Sequence, residues 1–497
     1  MLFNSIEFAI FLTIVLLLYW SLFNRNLKIQ NFFILLVSYI FYGWWNWRFL
    51  ILIGFTSICS FYSGILIYNL RKTHNNINGS KSLNSKLKLV TGINIVLNIG
   101  ILGYFKYYNF FVDSFMDVFR LFHININVKL MAIILPVGIS FYTFQALSYT
   151  IDVYRKKIEP TKDIISFLSF VAFFPQLIAG PIERASHLLP QFYKRRNFDY
   201  VIIADGLRQI LWGLFKKIVI ADRLAILVNT VYGNPENFDG ITLIIATVFF
   251  SIQIYCDFSG YSDIAIGVAK LFGIDLRANF NFPYLSKSIT EFWKRWHISL
   301  STWFRDYLYI PLGGNKVSKI RNVFNLFIVF IISGFWHGAN YTFIIWGAIH
   351  GLLLVIEKFT FKKQHEDDEK LSISNIFRML ITYLIVTFAW IFFRANNLSD
   401  AIYVVKNIFN FNLDNLSIFY ESGSTVKLFG MNTLDFYLSL FFIIILFIFE
   451  INSRQTNVWA KVKSYSIYTR WTCYTLFTIV ILWFGKFGFN QFIYFQF

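Results

Sequence analysis

The stretch IEFAIFLTIVLLLYWSLF, residues 6–23, contains one charged side chain, Glu7, in a run that is otherwise largely apolar. A helix that crosses the hydrocarbon core of a bilayer needs about 20 predominantly apolar residues, so this run predicts a first spanning helix. It is too long for the apolar core of a typical signal peptide, and no small-residue cleavage site follows it. Comparable runs recur along the chain, which indicates that lipid is the solvent for much of the protein.

The composition of the whole chain supports this interpretation. Of 497 residues, 57% are hydrophobic and 14% are charged, whereas soluble domains carry about 25% charged residues. The apolar runs are continuous rather than alternating, which favours helices over a β-barrel. The sequence therefore predicts an all-α, polytopic transmembrane protein with a single domain over residues 1–497 and about ten spans, give or take two.

The net charge of +18 has two explanations in a membrane protein. Lys and Arg collect in cytoplasmic loops under the positive-inside rule, and they can attract an anionic cytosolic donor. A nucleic-acid partner is not expected, because no basic tail lies outside the loops. Cys59, Cys256 and Cys473 match neither a metal nor a disulfide spacing, so we expect small buried residues and no metal site.

Three apolar segments decide how the spans are arranged. Residues 130–150 are expected to cross the membrane as one span. Residues 164–178 have basic residues on both sides and predict a re-entrant segment, which is tolerated only where it is buried in protein or lines a cavity. Residues 241–272 predict one pass that is broken at the acidic stretch 257–263, because carboxylates at membrane depth mark a cavity or a polar contact.

The largest cytosolic element is predicted at residues 277–321. Within it, residues 288–309 have apolar positions at helical spacing and begin with a capping box, which predicts one amphipathic helix at the inner membrane surface. His297 lies in this segment, where a hydrogen-bonded packing residue is the alternative to a catalyst. The charged positions of the segment include Lys294, Arg295 and Arg305.

His337 stands in the stretch SGFWHGAN, residues 333–340. A histidine inside a span is costly and is a functional candidate by default. His337 follows Arg321 by 16 residues, which is roughly 24 Å of helical rise and places the ring deep in the membrane. A neutral imidazole there can act as a general base for a hydroxyl; the alternative is a histidine bonded across helices for packing. Gly334 and Gly338 let another backbone or a substrate approach closely.

Two further positions lie outside these segments. His350 follows His337 by 13 residues and faces another way on any continued helix, so we expect a structural role for it. The C-terminal aromatic motif, residues 488–497, ends in FIYFQF. Tyr494 in this motif is either part of an interfacial anchor or the source of a hydroxyl for the active site, since a tyrosine can form covalent intermediates when a base takes its proton.

Taken together, these segments resemble the membrane-bound O-acyltransferase family, in its bacterial alginate and peptidoglycan O-acetylase branch. Six motifs occur in the family's order and extend over nearly the whole chain. They are PVGISFYTFQ at 136–145, FPQLIAGPI at 174–182, DFSGYSD at 257–263, FWKRWH at 292–297, GFWHGAN at 334–340, and the C-terminal Phe-x-Tyr-x-x-Phe pattern at 492–497.

The resemblance implies a ring of helices around a thinned centre, with a tunnel between cytosolic and outer funnels. It implies that His337 is the catalytic histidine, that His297 is the second histidine and that Tyr494 carries the acyl group transiently. Acetyl-CoA is the implied cytosolic donor, with its phosphates attracted by Lys294, Arg295 and Arg305. The implied partner is an extracytoplasmic SGNH-type transferase that acetylates a polysaccharide, and the implied location is the bacterial cytoplasmic (inner) membrane.

Two other functions stay open at this point. D-alanyl transfer to teichoic acid belongs to the same family, but that branch generally has a shorter chain and carries the tyrosine motif on a separate small protein. A polysaccharide transporter or flippase would predict inverted repeats or broken helices at matching positions, and the sequence has no such pairing. The polysaccharide acceptor is not fixed by the sequence: peptidoglycan, alginate, cellulose and other exopolysaccharides all fit.

Overall fold

The structure is a computed structural model of the chain. It describes residues 1–73, 81–126, 128–178, 180–360, 372–411, 427–428, 431–455, 458–488 and 492–493. The described residues form two compact units, one of residues 1–210 with 264–277 and the other of residues 211–263 with 278–497. The sequence predicted a single domain over residues 1–497, and this stays a prediction.

The first unit is helical, and side-chain caps fix where several of its helices begin. Ser5 accepts a hydrogen bond from the Phe8 amide, and Asn26 accepts one from the Ile29 amide, which satisfies donors that a helix N-terminus leaves without partners. The α-helices are Ile6–Ser21, Leu27–Gly43, Phe49–Thr73, Lys81–Leu102, Tyr108–Leu121, Ile139–Tyr154, Ile164–Ala172, Phe174–Leu177 and Ala185–Leu188, with a π-helical segment at Gly103–Tyr107 and a 3₁₀ segment at Leu189–Tyr193.

Helices also dominate the second unit, together with one short antiparallel strand pair, Lys427–Leu428 and Met431–Asn432. Two helices contribute residues to both units, Tyr200–Leu214 and Gly240–Leu271. The other elements of the second unit are the π-helical segments Phe215–Ala221 and Arg305–Tyr309, the 3₁₀ segments Pro235–Asn237 and Pro283–Leu285, and the α-helices Asp222–Gly233, Ile289–Arg295, Ile298–Phe304, Lys319–His337, Tyr341–Thr360, Ile373–Arg394, Leu398–Asn407, Thr433–Gln455, Val458–Lys463 and Ile467–Phe484.

Eight helices within the described residues are long and apolar enough to cross a membrane. Two shorter apolar helices, Ile6–Ser21 and Leu27–Gly43, accompany them, so the all-α, polytopic prediction is confirmed. The eight are Phe49–Thr73, Lys81–Leu121, Gly240–Leu271, Lys319–His337, Tyr341–Thr360, Ile373–Arg394, Thr433–Arg454 and Ile467–Phe484.

The expectation of one span over residues 130–150 is wrong, because the helix begins only at Ile139. Pro136 lies just before this start, and Gly138 adopts a left-handed φ of 73°. Gly138 also packs so closely on a neighbouring segment that an added Cβ would lie 2.5 Å from the Leu177 carbonyl oxygen. A proline and a left-handed glycine both end regular helix, so residues 130–138 lead into the helix without being part of it.

The predicted break within residues 164–178 is present. Asp163 caps the helix Ile164–Ala172 by accepting from the Ile165 amide, and the chain turns at Phe173 before the short helix Phe174–Leu177. Phe173 and Phe174 are both fully buried. The irregular backbone is therefore buried in protein, the condition under which a membrane protein tolerates it.

The predicted break in the pass at residues 241–272 is wrong. Gly240–Leu271 is one continuous helix of 32 residues, roughly 48 Å long. Its acidic side chains form ion pairs with lysines of the π-helical segment Phe215–Ala221. Lys217 Nζ lies 2.5 Å from Asp257, and Lys216 Nζ lies 2.5 Å from Asp263. Of the two sequence alternatives for these carboxylates, a cavity or a polar contact, the structure shows the polar contact.

The single amphipathic helix expected at residues 288–309 is also wrong. Two short helices, Ile289–Arg295 and Ile298–Phe304, replace it, and the backbone turns sharply between them at His297, whose φ is 43°. A left-handed conformation is rare for a residue with a side chain and is kept only where surrounding contacts enforce it. The turn withdraws His297 from the surface into the second unit.

Candidate active site

His337 is the last residue of the helix Lys319–His337 and is only 3% exposed. Ser318 caps the start of this helix by accepting from the Arg321 amide, and the helix is uninterrupted from there to His337. Its 19 residues correspond to roughly 27 Å of rise between the basic end and the histidine. The fully helical path from Arg321 to His337, on which the predicted rise depends, is therefore present.

His297 is fully buried in the turn between the two short helices. Its Nδ1 lies 3.1 Å from Asn279 Oδ1, and the same oxygen accepts from the Ser299 amide at 3.2 Å and the Ser299 hydroxyl at 2.8 Å. A backbone N–H can only donate, which identifies the Asn279 atom as the oxygen. His297 Nδ1 must therefore carry the hydrogen, and Nε2 of the neutral ring has the lone pair.

Burial also determines the charge of His297. Because a buried imidazolium loses its hydration, desolvation lowers the pKa of His297 to about 3. The ring is therefore neutral at physiological pH, and together with the contact to Asn279 this makes Nε2 a hydrogen-bond acceptor.

The structure brings the two predicted histidines together. The ring centroids of His297 and His337 are 6.4 Å apart. Aromatic side chains pack around both rings: Phe258 lies edge-on to His297 at 4.6 Å, and Trp346 and Phe393 lie edge-on to His337 at 5.2 and 5.3 Å. Such a low-dielectric enclosure strengthens electrostatic interactions with any reacting group that enters it.

The glycines beside His337 allow two helices to pack closely as a hairpin. An added Cβ on Gly334 would lie 2.2 Å from the Phe343 carbonyl oxygen, and one on Gly347 would lie 2.3 Å from the Phe330 carbonyl oxygen. A Cβ on Gly338 would meet the Phe343 ring at 2.1 Å. The sequence predicted that a backbone or a substrate approaches these glycines closely. In the structure the approaching groups are the backbone and the Phe343 ring of the helix Tyr341–Thr360, which packs against Lys319–His337.

His350 lies in the same aromatic cluster, one helical turn beyond Trp346 on the helix Tyr341–Thr360. It is fully buried, and its Nδ1 accepts from the Trp293 indole N–H at 3.3 Å. Because Trp293 can only donate, the hydrogen of a neutral His350 ring is on Nε2. His350 therefore joins the helix Ile289–Arg295 to the site.

The predicted donor-binding residues occupy different surroundings. Lys294 is exposed, one residue after Trp293. Arg295 pairs with Glu291 at 2.9 Å and donates to the Asn281 carbonyl at 3.2 Å. Arg305 is exposed and pairs with Asp306 at 2.8 Å.

The C-terminal segment is described at Phe492 and Ile493, whereas Tyr494 lies outside the described residues. The Ile493 amide donates to Asp257 Oδ2 at 2.8 Å, using the carboxylate oxygen that Lys217 does not bind. The Phe492 ring lies 5.6 Å from Phe258, the same ring that packs on His297. One face of the helix Gly240–Leu271 thus contacts both the C-terminal motif and the second histidine.

Several residues of the site gave no sequence signal of their own. Asn279 precedes a proline-containing turn and resembles an ordinary loop residue, and Lys217 resembles one of many basic positions. Trp346 and His350 stand at helical spacing in an apolar run, which is typical of packing residues. Within the described residues no group of three or more His, Cys, Asp or Glu side chains is arranged to hold a metal ion.

These features define a class: a polytopic helical membrane protein with two buried histidines enclosed among aromatic rings. A family model, MBOAT, membrane-bound O-acyltransferase family, matches residues 155–398, which include His297 and His337. Among curated relatives, the probable alginate O-acetylase AlgI of Pseudomonas aeruginosa is 40% identical over 445 residues, covering 89% of this chain and 81% of that protein.

Two further relatives come from other bacteria. The peptidoglycan O-acetyltransferase of Helicobacter pylori is 36% identical over 444 residues, covering 83% of this chain and 80% of that protein. The teichoic acid D-alanyltransferase of Streptococcus thermophilus is 31% identical over 272 residues, covering 51% and 65%. The chain belongs to the membrane-bound O-acyltransferase family and is an acyltransferase, so both predictions are confirmed.

Proposed function

We propose that the protein takes an acetyl group from cytosolic acetyl-CoA and passes it across the bacterial cytoplasmic membrane for O-acetylation of an envelope polysaccharide. An extracytoplasmic SGNH-type transferase is the proposed partner that completes the transfer. The similarity to the two O-acetylating relatives extends over more than four fifths of this chain, and the similarity to the D-alanyltransferase over about half of it. This difference in coverage supports acetyl as the group transferred.

The observation that carries the proposal is the buried pair of His297 and His337, 6.4 Å apart by ring centroids. In the proposed reaction His337 removes the proton of an acceptor hydroxyl, and the hydroxyl oxygen attacks the thioester carbonyl carbon. A C–O bond forms and the C–S bond breaks. The sulfur leaves with the electron pair and takes the proton, so the products are the acetyl ester and CoASH.

Tyr494 is the proposed first acceptor. The contacts of Phe492 with Phe258 and of Ile493 with Asp257 support this role, because they fix the preceding residues beside the ring that packs on His297. A tyrosine that accepts the acetyl group inside the membrane could then pass it to the extracytoplasmic partner. Replacement of Tyr494 by Phe would test this step.

The decisive experiment measures transfer of radiolabelled acetyl from acetyl-CoA in membranes containing His337→Gln, which keeps a polar side chain of similar size. We expect activity to fall by about 10²- to 10⁴-fold, the range for loss of a general base. His123→Gln, at an exposed histidine in the first unit, is the matched control and should retain full activity.

Unchanged acetyl transfer by His337→Gln would overturn the proposal. Transfer of D-alanine from a carrier-protein thioester, in place of acetyl, would favour the other branch of the family. Polysaccharide movement that survives the loss of His337 would indicate a flippase.

A further inference from the structure

Two buried N–H groups on one face of the helix Tyr341–Thr360 have no acceptor within the part of the chain that the structure describes. Trp346 and His350 are both fully buried. Among the described residues, neither the Trp346 indole Nε1 nor the His350 Nε2 has a hydrogen-bond partner. Leaving a buried donor without an acceptor is costly, and proteins rarely do so unless a ligand or a water molecule fills the role.

Both atoms are donors. An indole N–H can only donate. The His350 Nε2 carries the hydrogen because the Nδ1 of that ring accepts from Trp293. A group that satisfies the two positions must therefore supply acceptors such as carbonyl oxygens.

Packed rings connect the helix Ile289–Arg295 to the base through the two donors. The Trp346 ring packs edge-on to His337 at 5.2 Å, and His350 follows at 5.0 Å from Trp346. Trp293, which binds His350, precedes the exposed Lys294. The Trp293 ring packs on His350 at 5.1 Å and on Trp346 at 5.7 Å, and of these two rings Trp346 is the one that contacts His337.

The helical spacing of Trp346 and His350 is similar to a length within the proposed acyl donor. Four residues of helix separate Trp346 from His350, a rise of about 6 Å. In an acyl-pantetheine thioester, two methylene groups separate the sulfur from the first amide, so the thioester and amide carbonyl groups are separated by a similar length. Phosphate groups follow at the far end of the same molecule.

We infer that Trp346 and His350 form a carbonyl-binding subsite for a pantetheine thioester, with the Trp346 N–H on the thioester oxygen and the His350 N–H on the first amide oxygen. This assignment rests on the proposed function. Trp346 is then a catalytic residue, because the thioester oxygen gains negative charge as the hydroxyl attacks and a preorganised donor stabilises that charge. His350 binds the donor and leaves the chemical step unchanged.

The test compares Trp346→Phe and His350→Phe with two acyl donors, acetyl-CoA and S-propyl thioacetate, which lacks the amide. Trp346→Phe keeps an aromatic ring but loses the N–H, and we expect kcat to fall about 10²- to 10³-fold with both donors, as for loss of one oxyanion donor. His350→Phe should raise the KM for acetyl-CoA about tenfold, as for loss of one hydrogen bond. With S-propyl thioacetate, which has no amide to bind, the loss in kcat/KM should be about tenfold smaller than with acetyl-CoA.

Trp390→Phe is the matched control. The Trp390 ring stacks on Trp346 at 5.6 Å, but its N–H is satisfied by the Tyr284 hydroxyl at 3.2 Å. We expect this variant to lower the midpoint of thermal unfolding while keeping kcat with both donors. Trp346 and Trp390 are both almost fully buried, so Trp346→Phe also leaves a cavity and should lower the midpoint too. The two variants are therefore distinguished by kcat.

Retention of most of kcat by Trp346→Phe would overturn the assignment of the thioester oxygen. An equal loss with both donors for His350→Phe would overturn the assignment of the amide oxygen. A wild-type protein that transfers no acetyl from acetyl-CoA would instead overturn the proposed function, so the two failures are distinguishable.

Discussion

At the scale of single residues, Asp257 is the point where the C-terminal motif is tied to the helix Gly240–Leu271. Its two oxygens serve different donors, Lys217 Nζ and the Ile493 amide. Asp257→Asn leaves one acceptor for two donors. Because the ammonium group binds the remaining oxygen more strongly, the amide NH₂ is turned toward Ile493 and cannot accept from it.

We therefore expect Asp257→Asn to loosen the C-terminal segment. In detergent, the rate of maleimide labelling at Ile493→Cys should rise about tenfold, corresponding to about 1.4 kcal/mol, within the usual range for one hydrogen bond. Asp222→Asn is the matched control, because Asp222 also binds Lys217, at 2.8 Å, whereas the Ile493 amide donates to Asp257. Equal labelling in the two variants would contradict the anchoring role of Asp257.

The candidate site shows how far single residues can be assigned from sequence. His337 was predicted because an ionisable group inside a span is costly and therefore informative, whereas the assignment of His297 came from the family motif that contains it. Asn279 and Lys217 were not predicted as site residues. Each acts through a hydrogen bond to a residue distant in the sequence: Asn279 to His297, 18 residues away, and Lys217 to Asp257, 40 residues away. Polar contacts of this kind depend on tertiary packing, which a local pattern does not encode.

At the scale of elements, helix type was predicted better than helix continuity. The apolar period identified the spans around residues 49–73, 319–337 and 341–360. It failed at 257–263, where lysines on a neighbouring element keep the helix intact, and at 288–309, where Asn279 and the left-handed His297 break a regular amphipathic pattern. In each failure a long-range contact outweighed the local preference.

The hairpin of Lys319–His337 and Tyr341–Thr360 gives the element-scale prediction. In Gly334→Ala the new methyl group would lie 2.2 Å from the Phe343 carbonyl oxygen, and backbone cannot rotate away from it. We expect the helices to separate at a cost of about 3 kcal/mol or more, seen as a fall in the midpoint of thermal unfolding and a loss of acyl transfer.

Gly92→Ala is the matched control for the hairpin, since no atom lies within 4 Å of the added Cβ on the helix Lys81–Leu102. Alanine has the higher helix propensity, so this variant should be neutral or stabilised by up to about 1 kcal/mol. A Gly334→Ala protein with wild-type stability would show that the two helices can separate at little cost.

At the scale of the whole molecule, the proposed function requires a donor side and an acceptor side. Lys319 and Arg321 stand at the start of the helix that ends at His337, and Tyr341 follows the histidine. Under the positive-inside rule the basic end faces the cytosol. The order of the helix then places the base beyond the basic end, toward the outer face.

Single cysteines test this orientation directly. In a background without the native cysteines, Tyr341→Cys should react with a membrane-impermeant maleimide in intact spheroplasts, because this residue is 47% exposed. Lys319→Cys, also exposed, should react only after permeabilisation. Since a helix of 19 residues is roughly 27 Å long, one spanning element must separate the two positions. Labelling of Lys319→Cys from outside would reverse the donor side, and acetyl-CoA could then not reach His337 in the proposed direction.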